Sequence, residues 1–247
     1  MKMMMAKKKI GDMAIYEYGF ILGNSKVHIK CDRKGAILAS AEEMKRHIKD
    51  LSDYIKKNPQ ILYALEPLEV EPEAPQIIRK MAYASKMANV GPMASVAGAI
   101  ADFGLEALLR MGSNIAIVED GGEISASTME DIPISIITSE RKLSGKIGLL
   151  ITNDDSPIGI ATSTGKTDRV VSFGEADSVT VVAENAATAD AAATSICNAI
   201  VGLDAVRSIL KGLERAKNIR GVRGAIIIRN GQVGLVGKLP KIIRIRD

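Results

Sequence analysis

"SVTVVAENAATADAAATSICNAIVG", residues 178–202, opens as a strand and closes as a helix made almost wholly of alanine. Side chains that small let another segment or a ligand approach the helix closely. Yet this helix carries one acid, Asp190, and one turn later a threonine, Thr194. Residues four apart share a helix face. A carboxylate on such a surface must be solvated, paired or bound to a cation, because an unpaired buried charge is costly. Two readings stay open. Asp190 and Thr194 serve as oxygen ligands for a hard cation such as Mg²⁺, which takes one or two carboxylates and completes its shell with phosphate and water. Alternatively, Asp190 is an acid in an early turn, favoured there by the helix dipole alone.

Outward from this stretch, strands come in groups with long helices between the groups. Residues 13–39 alternate as a hairpin around "LGNSK". "ASAEEMKRHIKDLSDYIKKNP" has helical periodicity, with Ser40 as its cap and Glu43 in capping-box spacing. Residues 60–75 hold three prolines and four glutamates and read as a linker or lid. A helix resumes at Gln76, breaks at Gly91-Pro92 and stops at Gly112. Its second half presents Met93, Val96, Ile100, Ala107, Leu108 and Met111 on one face. "NIAIVEDGGEISAS", "PISIIT", "KIGLLIT" and "IGIAT" are short strands. "DAVRSILKGLERAKN" is a further helix, Asn230-Gly231 turns a last hairpin, and "KIIRIRD" ends the chain as an edge-like strand. The pattern is α+β: a mainly antiparallel sheet with long helices packed on it. It lacks the βαβ phosphate loop of a dinucleotide fold.

The 247 residues fit one domain, 1–247, with possible sub-structure at 1–75 (hairpin, helix and linker) and 76–247 (ligand-binding core). Hydrophobic content of 47% and charged content of 25% suit a globular core. Aromatic content of 3% with no Trp argues against a stacking platform for nucleic acid, and no basic reader motif is present. The net charge of +4 suits anionic small molecules as readily as nucleic acid. Cys31 and Cys197 lack CxxC partners, and Cys197 reads as a small buried hydrophobe. No segment reads as a signal peptide or as the ~18 apolar residues of a membrane span. The expected location is therefore cytoplasmic, with no membrane partner. His28 reads as a half-buried strand residue and His47 as a surface helix residue. Met-rich helices that look exposed are compatible with a homodimer.

Three other segments have ligand-binding chemistry beside a plainer reading. "EDGGEIS" (119–125) sets Gly121 and Gly122 between acids at a strand end, for close backbone approach to a ligand or for an ordinary turn. "IATSTGKTDR" (160–169) gathers Thr162, Ser163, Thr164 and Gly165 before Lys166 and Arg169, as a phosphate cradle or a solvated loop. "NVGPMASVAG" (89–98) is a helix entrance with free amides, or only a kink.

Together, "GAIADFGLEALLRMG", "NIAIVEDGGEISAS", "IATSTG" and "DSVTVVAENAATADAAAT", in that order, resemble the ApbE-type flavin transferases. The closer similarity is to a compact, poorly characterised archaeal and bacterial family related to them. The resemblance covers about residues 89–202 and implies the ApbE-like, T-fold-like arrangement. It implies Asp190 and Thr194 as Mg²⁺ ligands, with a backbone carbonyl from the "GPMASVAG" stretch. It implies Gly121, Gly122, Thr162, Ser163 and Gly165 around a phosphorylated ligand, FAD or FMN, and FMN transfer to a threonine of an acceptor protein. Where those enzymes carry a His-containing stretch, this chain has "VSFGEADSVTV", with Asp177 the polar residue at hand. That difference implies an alternative: a non-catalytic ligand-binding or protein-interaction module on the same scaffold.

Overall fold

The computed structural model describes residues 4–10, 13–138, 140, 143–165 and 173–245, with only the backbone path for 4–10 and 13. A nine-stranded sheet runs in the order β1-β2-β3-β4-β5-β8-β9-β10-β11. Its strands are β1 (Met4–Ile10), β2 (Met13–Leu22), β3 (Ser25–Cys31), β4 (Ile115–Asp120), β5 (Glu123–Thr128), β8 (Ile158–Ser163), β9 (Ser178–Ala183), β10 (Val222–Arg229) and β11 (Gln232–Gly237). Every neighbouring pair is antiparallel. A three-stranded sheet orders β12 (Lys241–Arg244), β7 (Ile147–Ile151) and β6 (Ile132–Ser135).

The helices α1 (Lys34–Lys57), α2 (Gln76–Ala88), α3 (Val96–Arg110), α4 (Ala186–Ala199) and α5 (Ala205–Lys217) share a core with one face of the large sheet. Period-two alternation decides which strand residues reach it. Val27, Ile29 and Cys31 of β3, Val179 and Val181 of β9, and Ala225 and Ile227 of β10 point to the helices. Ile158 and Ile160, Val182, and Ile226 and Ile228 point the other way and pack with Leu149 and Ile151 of the small sheet. The α+β reading holds, and both hairpin turns fall as the sequence indicates. At the second, Asn230 and Gly231 both take positive φ, 50° and 75°, as a two-residue hairpin requires.

Several expectations are corrected. Helix α1 starts at Lys34, six residues before Ser40, whose buried hydroxyl donates to the Gly104 carbonyl at 2.9 Å instead of capping. His47 is fully buried, its ring stacked on Phe103 with centroids 3.5 Å apart, while His28 is exposed. Met111 is exposed, and α3 is buried on nearly all sides rather than along one stripe. The stretch Pro92–Arg110 is long and apolar enough to cross a membrane by composition, but 67% of its apolar window is buried in the fold. Met44 and Met81 are covered by the chain itself, so they do not call for a dimer. Cys197 is buried, as expected of a small hydrophobe.

Candidate functional site

The alanines let α4 be buried along almost its whole length, and Asp190 is the residue of Ala186–Cys197 that keeps some surface. Its first amides need acceptors. Asn185 caps the helix by accepting from the Thr188 amide at 2.9 Å. The other two acceptors come from Asp102 of α3, which is 3% exposed. Its carboxylate accepts from the Ala186 amide at 2.9 Å and the Ala187 amide at 3.1 Å. It also accepts from the Ser125 hydroxyl of β5 at 2.7 Å, and Lys80 of α2 stands 3.5 Å away. One buried carboxylate thus joins α2, α3, α4 and β5.

Helices α3 and α4 touch at Gly98. A Cβ there would stand 2.2 Å from the Ala186 carbonyl oxygen. This close approach brings the Gly98 amide to 3.0 Å from Asp190 Oδ2, where it donates. The "GPMASVAG" stretch and Asp190, 92 residues apart, therefore meet, through the Gly98 amide and not through a backbone carbonyl.

Two further acids come from the β4–β5 turn. Asp120 follows Ala116 and Val118 on the buried face of β4, and Glu123 starts β5. Burial pushes the Asp120 carboxyl up to about 6, with Ser25 opposing and Glu119 adding. Burial pushes Glu123 up to about 7, its own backbone amide opposing and Asp120 and Glu119 adding. Asp190 is raised well above the usual carboxylate range, by burial first and then by Glu123, against the pull of the Gly98 amide, with Asp120 and Asp102 adding. Among the described residues no lysine or arginine is ion-paired with Asp120, Glu123 or Asp190. Among the described residues Asp120 Oδ1 and the buried Ser163 hydroxyl of β8 have no hydrogen-bond partner. Thr194 is buried one turn beyond Asp190 on α4.

On the opposite face of the large sheet, towards the small one, lies a cavity of about 800 Å³. Ile115, Ile117, Ile124, Ile134, Leu149 and Ile160 wall it, and Gly121, Gly122, Thr162, Thr180 and Asp177 supply polar edges. Thr162 and Thr180 share a hydrogen bond of 2.9 Å between their hydroxyls. Gly121 and Gly122 have φ of 71° and 129°, so the turn tolerates little but glycine.

The residues singled out from the sequence thus fall into two groups. Ser163, Asp190 and Thr194 belong to the helix side, while Gly121, Gly122 and Thr162 front the cavity. The β4–β5 turn lies between them. Gly165 belongs to neither; its amide donates to the Ala176 carbonyl at 3.1 Å, and a Cβ would meet the Gly174 carbonyl oxygen at 1.8 Å. Lys166 and Arg169 lie outside the described residues. Asp177 accepts from the Asn230 amide at 2.6 Å at the cavity's edge. Sequence reasoning missed Asp102 and the roles of Asp120 and Glu123. The signal was an acid at an inward position of an otherwise apolar helix or strand.

Among the described residues no three His, Cys, Asp or Glu side chains are grouped to hold a metal. A cation here would draw on one or two carboxylates, a threonine hydroxyl, backbone carbonyl, phosphate and water. That oxygen set is what Mg²⁺ takes, and the uncompensated acids with an orphaned carboxylate oxygen fit it.

The fold defines the class first. The chain is similar to the flavin transferase ApbE from Vibrio cholerae, with TM-score 0.59 and 13% identity over 90% of this chain and 96% of that one. It is likewise similar to the apo Pseudomonas stutzeri flavinyl transferase ApbE, with TM-score 0.57 and 15% identity over 98% and 97% of the two chains. At such identity the likeness is one of fold: the chain has the α+β fold seen in ApbE. Within that class, residues 17–235 match the family model described as "AbpE bacteria", and the chain belongs to that family. Its relatives include the UPF0280 protein of Methanocaldococcus jannaschii, 39% identical over 226 residues and 91% of each chain. Another is the UPF0280 protein of Methanothermobacter thermautotrophicus, 38% identical over 227 residues, 90% of this chain and 86% of that one.

Proposed function

We propose that this protein binds a phosphorylated ligand, a flavin nucleotide, together with Mg²⁺ at the junction formed by α4, the entrance of α3 and the β4–β5 turn. The observation that carries this reading is the cluster of buried Asp120 with half-buried Glu123 and Asp190, which among the described residues has no ion-paired cationic side chain and leaves an orphaned carboxylate oxygen. Folding such charge into one place costs stability unless a cation compensates it. Asp190 and Thr194 are the ligands assigned to the cation, which when bound would neutralise phosphate charge. The Gly121-Gly122 turn lets the diphosphate pass close to backbone, and the aliphatic cavity with its Thr162–Thr180 pair takes the apolar part of the ligand. The similarity to flavin transferases is the reason for choosing a flavin.

As a transferase, the protein forms a bond between an acceptor hydroxyl oxygen and the FMN phosphorus, while the bond from that phosphorus to the AMP oxygen breaks. AMP leaves with the electron pair. Glu123, the carboxylate beside Asp190, takes the hydroxyl proton. The observation favouring a binding module instead is that neither histidine reaches the cluster: His28 is exposed on β3, and His47 of α1 is buried against Phe103 of α3. The test is thermal stability of the chain with and without Mg²⁺ across FAD, FMN, ADP and ATP. A ligand at 100 times its dissociation constant adds about 2.7 kcal/mol. A shift that needs both Mg²⁺ and FAD, and that vanishes in Asp190→Asn, supports the reading; no joint shift refutes it. Release of AMP from FAD in the presence of a threonine-bearing acceptor separates transferase from binder.

A further inference from the structure

Strand β11 is one edge of the large sheet, and its sequence, "QVGLVG", carries no charge and no proline. The opposite edge, β1, carries three consecutive lysines, Lys7 to Lys9. Charged side chains are a usual protection of a free edge, so β11 is the unprotected one. Val233 and Leu235 are each 51% exposed on its outer face.

Helix α5 lies over the same edge. Gly212 faces Ile227 of β10, and Ile209 and Leu213 press on Gly234 of β11. On a helix of 3.6 residues per turn, the next positions around from Ile209 and Leu213, away from β10, are Val206 and Leu210. These extend the apolar stripe past the last strand, with nothing of the described chain beneath them: they are 55% and 59% exposed. The stripe is one strand wider than the sheet it covers.

We infer that a second copy of this chain fills that place, through antiparallel β11–β11 pairing about a two-fold axis near Gly234. Identical strands pair antiparallel under such an axis without any further requirement. The spacing also closes. Strands lie about 4.8 Å apart, and α5 sits over β10 and β11, so the axis puts the two α5 helices about 10 Å apart. Packed helices stand 8–10 Å apart. Leu210 then meets its copy across the axis above the paired strands, with Val206 one turn along the same stripe, and Val233 and Leu235 meet below them.

The test is sedimentation velocity of the full chain at micromolar concentration. The wild type is expected to sediment with the mass of two chains. Leu210→Lys and Leu235→Lys, both at exposed positions, are each expected to keep wild-type circular dichroism and to weaken dimerisation by roughly 30-fold or more. Leu210→Cys is expected to give a disulfide-linked dimer on mild oxidation, while Tyr83→Cys, exposed on α2, gives none; the native cysteines are buried and stay silent. A monomeric wild type overturns the inference and leaves the edge to a strand of another protein. So does a dimer that both lysine variants leave intact, which would place the interface elsewhere.

Discussion

Replacing Asp102 with alanine should destabilise this protein more than any single substitution on its surface. The carboxylate is 3% exposed and receives the Ala186 and Ala187 amides and the Ser125 hydroxyl. Alanine leaves three buried donors unmatched, and each costs about 1–3 kcal/mol. Loss of the negative charge at the α4 N-terminus adds about 0.5 kcal/mol. Water entering the vacated space offsets part of this, so the net loss is about 3–5 kcal/mol. In a chain of this size each kcal/mol moves Tm by about 2–4 °C, which makes the expected fall about 10 °C. Urea unfolding and calorimetry of the wild type, Asp102→Ala, Asp102→Asn and Ser125→Ala would measure it. Ser125→Ala should cost about 1 kcal/mol, and Asp102→Asn, which keeps one acceptor oxygen, should fall between the two. The double variant should cost less than the sum of its parts, since both remove the same bond. An Asp102→Ala protein within about 2 °C of wild type would refute the claim that this carboxylate holds α3, α4 and β5 in register.

The raised acids predict a pH dependence. Asp120 and Glu123 have folded-state pKa values of about 6 and about 7, above their ordinary ones. Their protonated forms favour the fold, so the stability they contribute is complete below about pH 4 and is lost as pH rises through these values. The loss for Asp120 alone is on the order of 2–3 kcal/mol. Denaturation midpoints without divalent cation should therefore fall between pH 4 and 7, and added Mg²⁺ should restore them increasingly towards pH 7; a metal-free midpoint that rises over this range contradicts the cluster. Gly98→Ala would drive a Cβ to 2.2 Å from the Ala186 carbonyl oxygen, forcing α3 and α4 apart and removing the amide from Asp190. It should lower Tm by several degrees and weaken any Mg²⁺-dependent ligand shift together, and an unchanged ligand shift would detach Gly98 from the site.

Local chemistry alone determined much of this protein. Alternation and turn residues placed the hairpins, because a two-residue period and a glycine at positive φ are properties of neighbours in the chain. The alanine-rich helix with its lone Asp190 and Thr194 was recognisable for the same reason: an acid among alanines is anomalous wherever the helix goes. What the sequence left undecided depends on segments that meet only after folding. Asp102 lies 84 residues from the amide it accepts, and Gly98 lies 92 from Asp190. His47 looked like a surface residue because its neighbours are charged, and it is buried because Phe103 of another helix stacks on it. The separation of Thr162 from Ser163 onto opposite sides of the sheet follows from the pleat, but which side holds the acids and which the cavity was decided by the packing of α3 and α4 on one face and of the small sheet on the other. A residue's own side chain sets what it can bond to; only the assembled elements decide whether water, a neighbour or nothing is there to meet it.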